Sequence, residues 1–258
     1  MSSSEPARSI FITGAASGIG RATAQLFAER GWFVGAFDVD EAGLQTLSRQ
    51  SEVAYTRRLD VTDVGDYGAA VEAFVEQTSG RMDMLFNNAG IIASSPLDQM
   101  PWETVERILR INLFGAMIGV QAAMQWLKRT EGSLCFSTCS ASAIYGSANL
   151  VAYSASKHAV KGLTEALSIE LKKHGVRAAD VLPGIVETAM LPPEHKAILP
   201  TEGPWRLIQP REVAEVAWRA YGEDRVHWYV PEELKELHVM AVNAPEQARD
   251  YFVALGRD

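Results

Sequence analysis

Tyr153 and Lys157 stand four residues apart in AYSASKHAVKG, Ala152 to Gly162, among small residues that predict a helix. Residues at i and i+4 of a helix are neighbours, with Cβ atoms roughly 5–6 Å apart, so a phenol and an ammonium share one face. A tyrosine with its reference pKa of about 10 is a poor base near neutrality. The adjacent ammonium, together with any second positive charge that a bound ligand brings, would favour the phenolate by Coulomb attraction. A fall of about 3 units corresponds to about 4 kcal/mol, within reach of two cations in a partly desolvated pocket. The expected chemistry is proton exchange with a substrate oxygen. Ser140, thirteen residues before Tyr153 and at the end of a predicted strand, can set a hydroxyl beside both. A Y-x-x-x-K pair alone is more often a surface tyrosine lying along a lysine stem, so the reading depends on what else the chain positions.

A second set of residues suits a dinucleotide. TGAASGIG, Thr13 to Gly20, joins a predicted strand to a predicted helix. Gly14, Gly18 and Gly20 let the backbone turn sharply and approach a ligand, and the new helix offers free N–H groups and a positive dipole end to a phosphate. Such a turn can also merely connect two elements; its place within a βαβ unit is the context a dinucleotide site requires. Asp38 falls at the end of the second strand, where a carboxylate accepts from ribose hydroxyls and repels a 2′-phosphate. No Lys or Arg lies in Gly31–Asp40 or Ile12–Gly20 to offset that repulsion, so NAD is expected over NADP. Asp60 and Val61, and then Asn87, Asn88, Ala89 and Gly90, fall on the same sheet edge.

The elements that must position these groups alternate. SIFIT, WFVGAF (Trp32–Phe37), EVAYTRRLD, MDMLFNN, GSLCFSTCS and GVRAADVLP read as strands, and RVHWYVP adds a candidate seventh. Segments of helical period separate them, including one long helix from Pro101 to about Lys128. Alternation of this kind implies a parallel sheet with helices on both faces. MLPPEHKAILPTEGPWRLIQP carries five of the eleven prolines and reads as a loop over the strand ends. Ile92, Ser94, Ser142, Tyr145, Met190, Leu191 and Trp205 are candidate substrate walls, mostly apolar, and favour a medium-sized hydrophobic or aromatic carbinol.

Composition excludes several classes. The net charge of −8 and the lack of a basic run argue against nucleic acid or an anionic membrane. Cys135 and Cys139 lie on one predicted strand, roughly 13 Å apart and too far to bridge each other, as expected of reduced thiols. The start, MSSSEPARS, lacks the pattern of a secretory leader, and a soluble cytoplasmic chain is expected. The five histidines show no H-x-x-x-H pair, so no metal is expected. STCSAS around Ser140 is no nucleophile elbow, which argues against a hydrolase.

Taken together, TGAASGIG, Asp38, LDV, NNAG, Asn112 in RINLFGA, Ser140, YSASK and PGIVET resemble the short-chain dehydrogenase/reductase family in order and spacing. The resemblance implies an α/β fold, a Rossmann-type doubly wound parallel sheet of about seven strands with helices on both faces. It implies one dinucleotide-binding and catalytic domain over residues 1–258, with a substrate-loop insert at about 188–210. It also implies an NAD-dependent oxidoreductase acting on small-molecule alcohols or ketones. Asn112, Ser140, Tyr153 and Lys157 would be catalytic. Tyr153 would be the acid/base, Ser140 would hold the substrate oxygen, Lys157 would bind the nicotinamide ribose, and Asn112 would support a water between the lysine and solvent. A helix-interior amide bonded locally is the alternative for Asn112. Cofactor contacts would come from Gly14, Ser17, Gly18, Ile19, Gly20, Asp38, Asp60, Val61, Asn88, Ala89, Gly90, Pro183, Gly184, Val186 and Thr188. Ser142, Tyr145, Met190 and Trp205 would meet substrate. The chain departs from the family at its end, where the usual strand and DGG-like turn are replaced. Long-helix contacts common in the family imply a homodimer or homotetramer. A regulatory protein that binds NAD and turns nothing over is the alternative, against which Tyr153 and Lys157 are both present.

Overall fold

Short, mostly apolar runs become the central strands, which bury both of their faces. β1 (Ser9–Thr13) and β4 (Met84–Asn87) are buried at every residue, as strands covered on both faces must be. β5 (Leu134–Thr138) and β6 (Arg177–Pro183) continue the sheet on one side of β4. β2 (Phe33–Asp38) and β3 (Tyr55–Arg58) extend it beyond β1, and β9 (His227–Val230) closes the other edge. The order is β3-β2-β1-β4-β5-β6-β9, with every pairing parallel. The chain is a computed structural model that describes residues 7–191 and 199–255.

Parallel pairing requires crossovers, and helices supply them. α1 (Gly18–Glu29), α2 (Glu41–Gln50) and α3 (Val64–Gln77) follow the first three strands. Asp40 and Asp63 cap the last two, each accepting from the backbone N–H three residues on. α4 (Trp102–Leu109), α5 (Gly115–Arg129), α6 (Val151–Glu170) and α7 (Pro210–Gly222) come next. Alternation along β1 separates two core layers: Ile10 and Ile12 meet Phe27, Val213 and Ala217 on one face, while Phe11 meets Phe37, Tyr67 and Phe74 on the other.

The structure differs from the sequence expectations in three places and adds two helices at the end of the chain. Trp32 lies outside β2, because its indole is buried edge-on against Phe27 at 5.0 Å. The long helix after Pro101 is broken by a π-turn at Arg110–Phe114 that separates α4 from α5. The proline-rich insert ends in a strand, β8 (Leu207–Ile208), that pairs in parallel with β7 (Ile185–Val186) just before it, while its residues 192–198 fall outside the described ones. The C-terminal stretch folds into two helices, α8 (Leu234–Asn243) and α9 (Pro245–Ala254).

Arg177 ties β6 to the end of α7. Its guanidinium donates to the carbonyls of Ala220 and Glu223, both at 2.9 Å, to Gly132 at 3.2 Å, and to Tyr221. Terminal helix carbonyls have no partner within the helix, so this one side chain satisfies several of them. Arg177→Ala is expected to cost about 3 kcal/mol, read as a fall in Tm of roughly 6–12 °C in a thermal melt.

Candidate active site

The reversal of strand order between β1 and β4 opens a crevice at the C-terminal ends of the strands, where doubly wound sheets bind ligands. The glycine-rich turn after β1 forms its first wall. Gly14 and Gly18 adopt φ of 67° and 51°, a region L side chains avoid. A Cβ on Gly20 would stand 2.1 Å from the Gly14 carbonyl oxygen, and one on Gly14 would stand 2.8 Å from Ala89 Cα. Ser17 N-caps α1 without a side-chain hydrogen bond, and the first turn carries no acidic residue. The N–H groups that open α1 are therefore available to an anion.

Asp38 ends β2 with its carboxylate on this turn, accepting from Ala16 N–H and Asp40 N–H at 3.0 Å each. The absence of a nearby cation, read from sequence windows, does not hold in space: β3 sets Arg58 in register with Asp38. The Arg58 guanidinium stands 3.9 Å from Glu41 and 4.0 Å from Asp66. Asp60 holds the next turn, accepting from the Thr62 N–H and hydroxyl at 2.9 and 2.8 Å, and these bonds hold its carboxyl below the ordinary range. Val39, Asp60, Thr62 and Ile111 line an open groove beside it. Val61 is buried against Gly115, where a Cβ would come within 2.8 Å of its side chain.

Three strand tips are joined by Thr13, Asn88 and Thr138. The Thr13 hydroxyl receives the N–H groups of Asn88 and Ala89 at 3.0 and 3.1 Å. The Asn88 amide donates to the carbonyls of Thr13 and Gly14, and accepts from the Thr138 hydroxyl at 2.8 Å. Asn88 thus serves the frame of the crevice. The hydroxyls of Thr13 and Thr138 were not singled out from sequence, although Thr13 opens the glycine motif and Thr138 lies two residues before Ser140.

The reacting groups converge above this frame. Ser140 N-caps the short turn Ala141–Ala143, accepting from Ser142 N–H at 3.1 Å, and its hydroxyl lies close enough to the Tyr153 phenol to favour the phenolate. Lys157 is buried, donates from Nζ to the Thr138 carbonyl at 2.9 Å, and stands 5.7 Å from the centre of the Tyr153 ring. The two side chains therefore share a face. The expected depression of the phenol does not occur in the chain alone: burial pushes Tyr153 up to about 12, and the Ser140 hydroxyl opposes this. Burial likewise lowers Lys157. The ammonium is spent on a carbonyl rather than on the phenol oxygen, so desolvation wins.

Asn112 sits in the π-turn. Its amide clamps the Ile91 backbone, accepting from N–H at 2.8 Å and donating to C=O at 3.0 Å, and also donates to Ser156 at 3.1 Å. These partners lie on other segments, so local helix bonding does not describe this side chain. Gly90 lets the loop pass close, since its Cβ would stand 3.3 Å from the Asn112 oxygen and 3.5 Å from Lys157 Nζ. Asn112→Ala leaves the Ile91 groups unpaired. It is expected to cost about 2–3 kcal/mol of stability and about tenfold in kcat/KM, checked by thermal melts and steady-state kinetics.

At the far side, Pro183 ends β6 in register with Val230, Gly184 N–H donates to the Val230 carbonyl at 2.8 Å, and Val186 packs on the core. Thr188 reaches back to the glycine turn, where a Cβ on Gly18 would meet its methyl at 2.9 Å. Ile19 packs against the core beneath that turn. Among the substrate candidates, Met190 is exposed and the Ser142 hydroxyl faces Ser147 at 3.5 Å. Tyr145 and Trp205 are each backed by Phe252 of α9. Among the described residues no group of three His, Cys, Asp or Glu side chains could hold a metal, and no helix is long and apolar enough to cross a membrane.

Comparison with known proteins agrees with this architecture. The family model described as short chain dehydrogenase matches residues 8–198. The sex determination protein tasselseed-2 of Zea mays is 37% identical over 188 residues, 70% of this chain and 55% of that protein's length. Galactitol 2-dehydrogenase of Agrobacterium fabrum is 31% identical over 246 residues, 94% of this chain and 92% of that protein. The structure of 3-ketoacyl-(acyl-carrier-protein) reductase from Brucella melitensis complexed with NADH superposes with a TM-score of 0.78 at 29% identity, covering 86% of this chain and 96% of that one. With the seven-stranded parallel sheet, the glycine turn and a family match over most of its length, the chain belongs to the short-chain dehydrogenase/reductase family of oxidoreductases.

Proposed function

We propose that the chain is an NAD-dependent dehydrogenase/reductase that interconverts a secondary alcohol and a ketone, with the sheet and its helices acting as one dinucleotide-binding and catalytic domain. The observation that carries this reading is the convergence of Ser140, Tyr153 and Lys157 beside the glycine turn. A dinucleotide fits the residues present: the turn has no room for side chains, the opening N–H groups of α1 are uncapped, and Asp38 stands at the ribose end. Gly14, Ser17, Gly18, Ile19 and Gly20 would hold the pyrophosphate side, and Pro183, Gly184, Val186 and Thr188 the nicotinamide side. The bound nicotinamide supplies the hydride acceptor or donor.

The chain's own groups handle the proton. In oxidation Tyr153 Oη takes the carbinol O–H proton as the C–H hydride leaves; in reduction it returns a proton to the ketone oxygen. Ser140 holds that oxygen by a hydrogen bond, and Lys157, fixed by Thr138, keeps a positive charge beside the phenol. Exposed Ile92, Val151 and Met190 stand on the segments flanking Gly90, Tyr153 and Thr188, which favours a medium-sized hydrophobic or aromatic substrate. The relatives named above, one acting on a polyol and one on a ketoacyl group, support alcohol–ketone chemistry. A homodimer or homotetramer in the cytoplasm belongs to the same reading. The test follows NADH absorbance with NAD and a panel of aryl and alkyl secondary alcohols, with NADP in parallel. Turnover with NAD is expected; tight NAD binding without turnover across the panel would favour a regulatory NAD-binding protein instead.

A further inference from the structure

The C-terminal helices depart most from the family's sequence pattern, and the last of them ends on the site. α9 buries two side chains, Ala248 and Phe252. The Phe252 ring stacks on Tyr145 with centroids 5.4 Å apart and planes within 9°, and it meets Trp205 edge-on at 5.6 Å. Beside it the Tyr251 hydroxyl accepts from Trp205 Nε1–H at 3.0 Å. Val253 and Leu255 of the same helical end are exposed. The large side chain that α9 buries thus goes to this aromatic cluster and to no part of the sheet's two main layers.

Position gives the cluster its meaning. Tyr145 lies five residues after Ser140 and eight before Tyr153, on the segment whose two ends hold those groups. Trp205 lies between β7 and β8, the pair that follows Gly184. Cys139 and Leu182, at the tips of β5 and β6, complete the same cluster, so it adjoins Ser140 at the strand ends. A ring wedged between two others keeps one orientation, and aromatic pairs of this geometry add about 0.5–1.5 kcal/mol beyond their area burial.

We propose that α9 is the substrate-size selector of the cleft: Phe252 and Tyr251 hold Tyr145 and Trp205 as its outer wall, and the volume of Phe252 sets how large a carbinol substituent is admitted. This inference rests on the alcohol–ketone reading above. Its test uses the full chain with NAD, 1-phenylethanol and 1-(2-naphthyl)ethanol. Phe252→Ala is expected to raise the naphthyl-to-phenyl ratio of kcat/KM about tenfold, with Phe252→Leu intermediate, because vacated apolar volume favours the larger group. NAD affinity and the pH profile stay as in the wild type. Tyr251→Phe keeps the ring but removes the acceptor for Trp205, and raises KM for both alcohols about threefold at unchanged kcat. An active wild type with an unchanged ratio in folded Phe252→Leu, whatever its Tm, overturns the selector alone. A wild type that oxidises neither alcohol nor any member of the wider panel overturns the alcohol–ketone reading, and the selector with it.

Discussion

Tyr153→Phe is expected to lower kcat for alcohol oxidation about 10³–10⁴-fold while leaving NAD affinity within about threefold. The ring and its packing persist, and the group lost is the proton carrier beside Ser140. The pH dependence follows from the same burial. Without cofactor the phenol is held up to about 12. A native pKa above that of the unfolded chain means the folded form keeps a proton the unfolded form loses, so this group stabilises the fold below about pH 10 and ceases to as pH passes 12. To act as a base near pH 8 the phenol must drop by about 4 units, about 5 kcal/mol of added preference for the phenolate. Lys157 and the positive ring of bound NAD are the cations available to supply it. The kcat/KM for oxidation should therefore rise about tenfold per pH unit up to the depressed pKa and then level, whereas that for ketone reduction stays level below the phenol's pKa and falls above it. Lys157→Met should move that plateau to higher pH. A Tyr153→Phe enzyme keeping a tenth of wild-type kcat would remove the phenol from the mechanism.

The second large effect concerns the cofactor's ribose. Two unit charges about 4 Å apart near a protein surface interact by roughly 4 kcal/mol, so the Asp38 carboxylate should exclude a 2′-phosphate by at least 100-fold in kcat/KM. Arg58 changes what happens when that carboxylate is removed. Asp38→Ser keeps an acceptor for Ala16 N–H and removes the carboxylate, leaving Arg58, one strand away in register, as a cation within reach of a 2′-phosphate. The NAD-to-NADP preference should collapse about 100-fold, and adding Arg58→Ala should reverse most of the gain in NADP use. Initial rates with both cofactors decide it. A wild type that prefers NADP would show that Arg58 already outweighs Asp38.

Arg58 marks the boundary of what the sequence makes legible. The strands, their parallel order and the crevice are written in short apolar runs separated by helical period, because burial on both faces leaves each central strand a local signature. The glycine turn and the Tyr153–Lys157 face are also local, since both arise from spacings within one element. Contacts between elements carry no such signature: Arg58 lies twenty residues from Asp38 along the chain, yet one strand away in space. The π-turn at Asn112 has the same origin. Its residues have helical period, and the departure is visible only with Ile91 and Ser156 in place as partners for the amide. Likewise, the backing of Tyr145 and Trp205 cannot be read locally, because the residue that packs on them, Phe252, comes from the far end of the chain.

Thr13, Asn88 and Thr138 weld the tips of β1, β4 and β5 into one hydrogen-bonded plate. With three strand tips cross-bonded, the plate's amides are expected to exchange with heavy water more slowly than those of the terminal helix, which buries only Ala248 and Phe252. The protein thus divides its labour by rigidity, with an unyielding anvil under the chemistry and a replaceable rim around it.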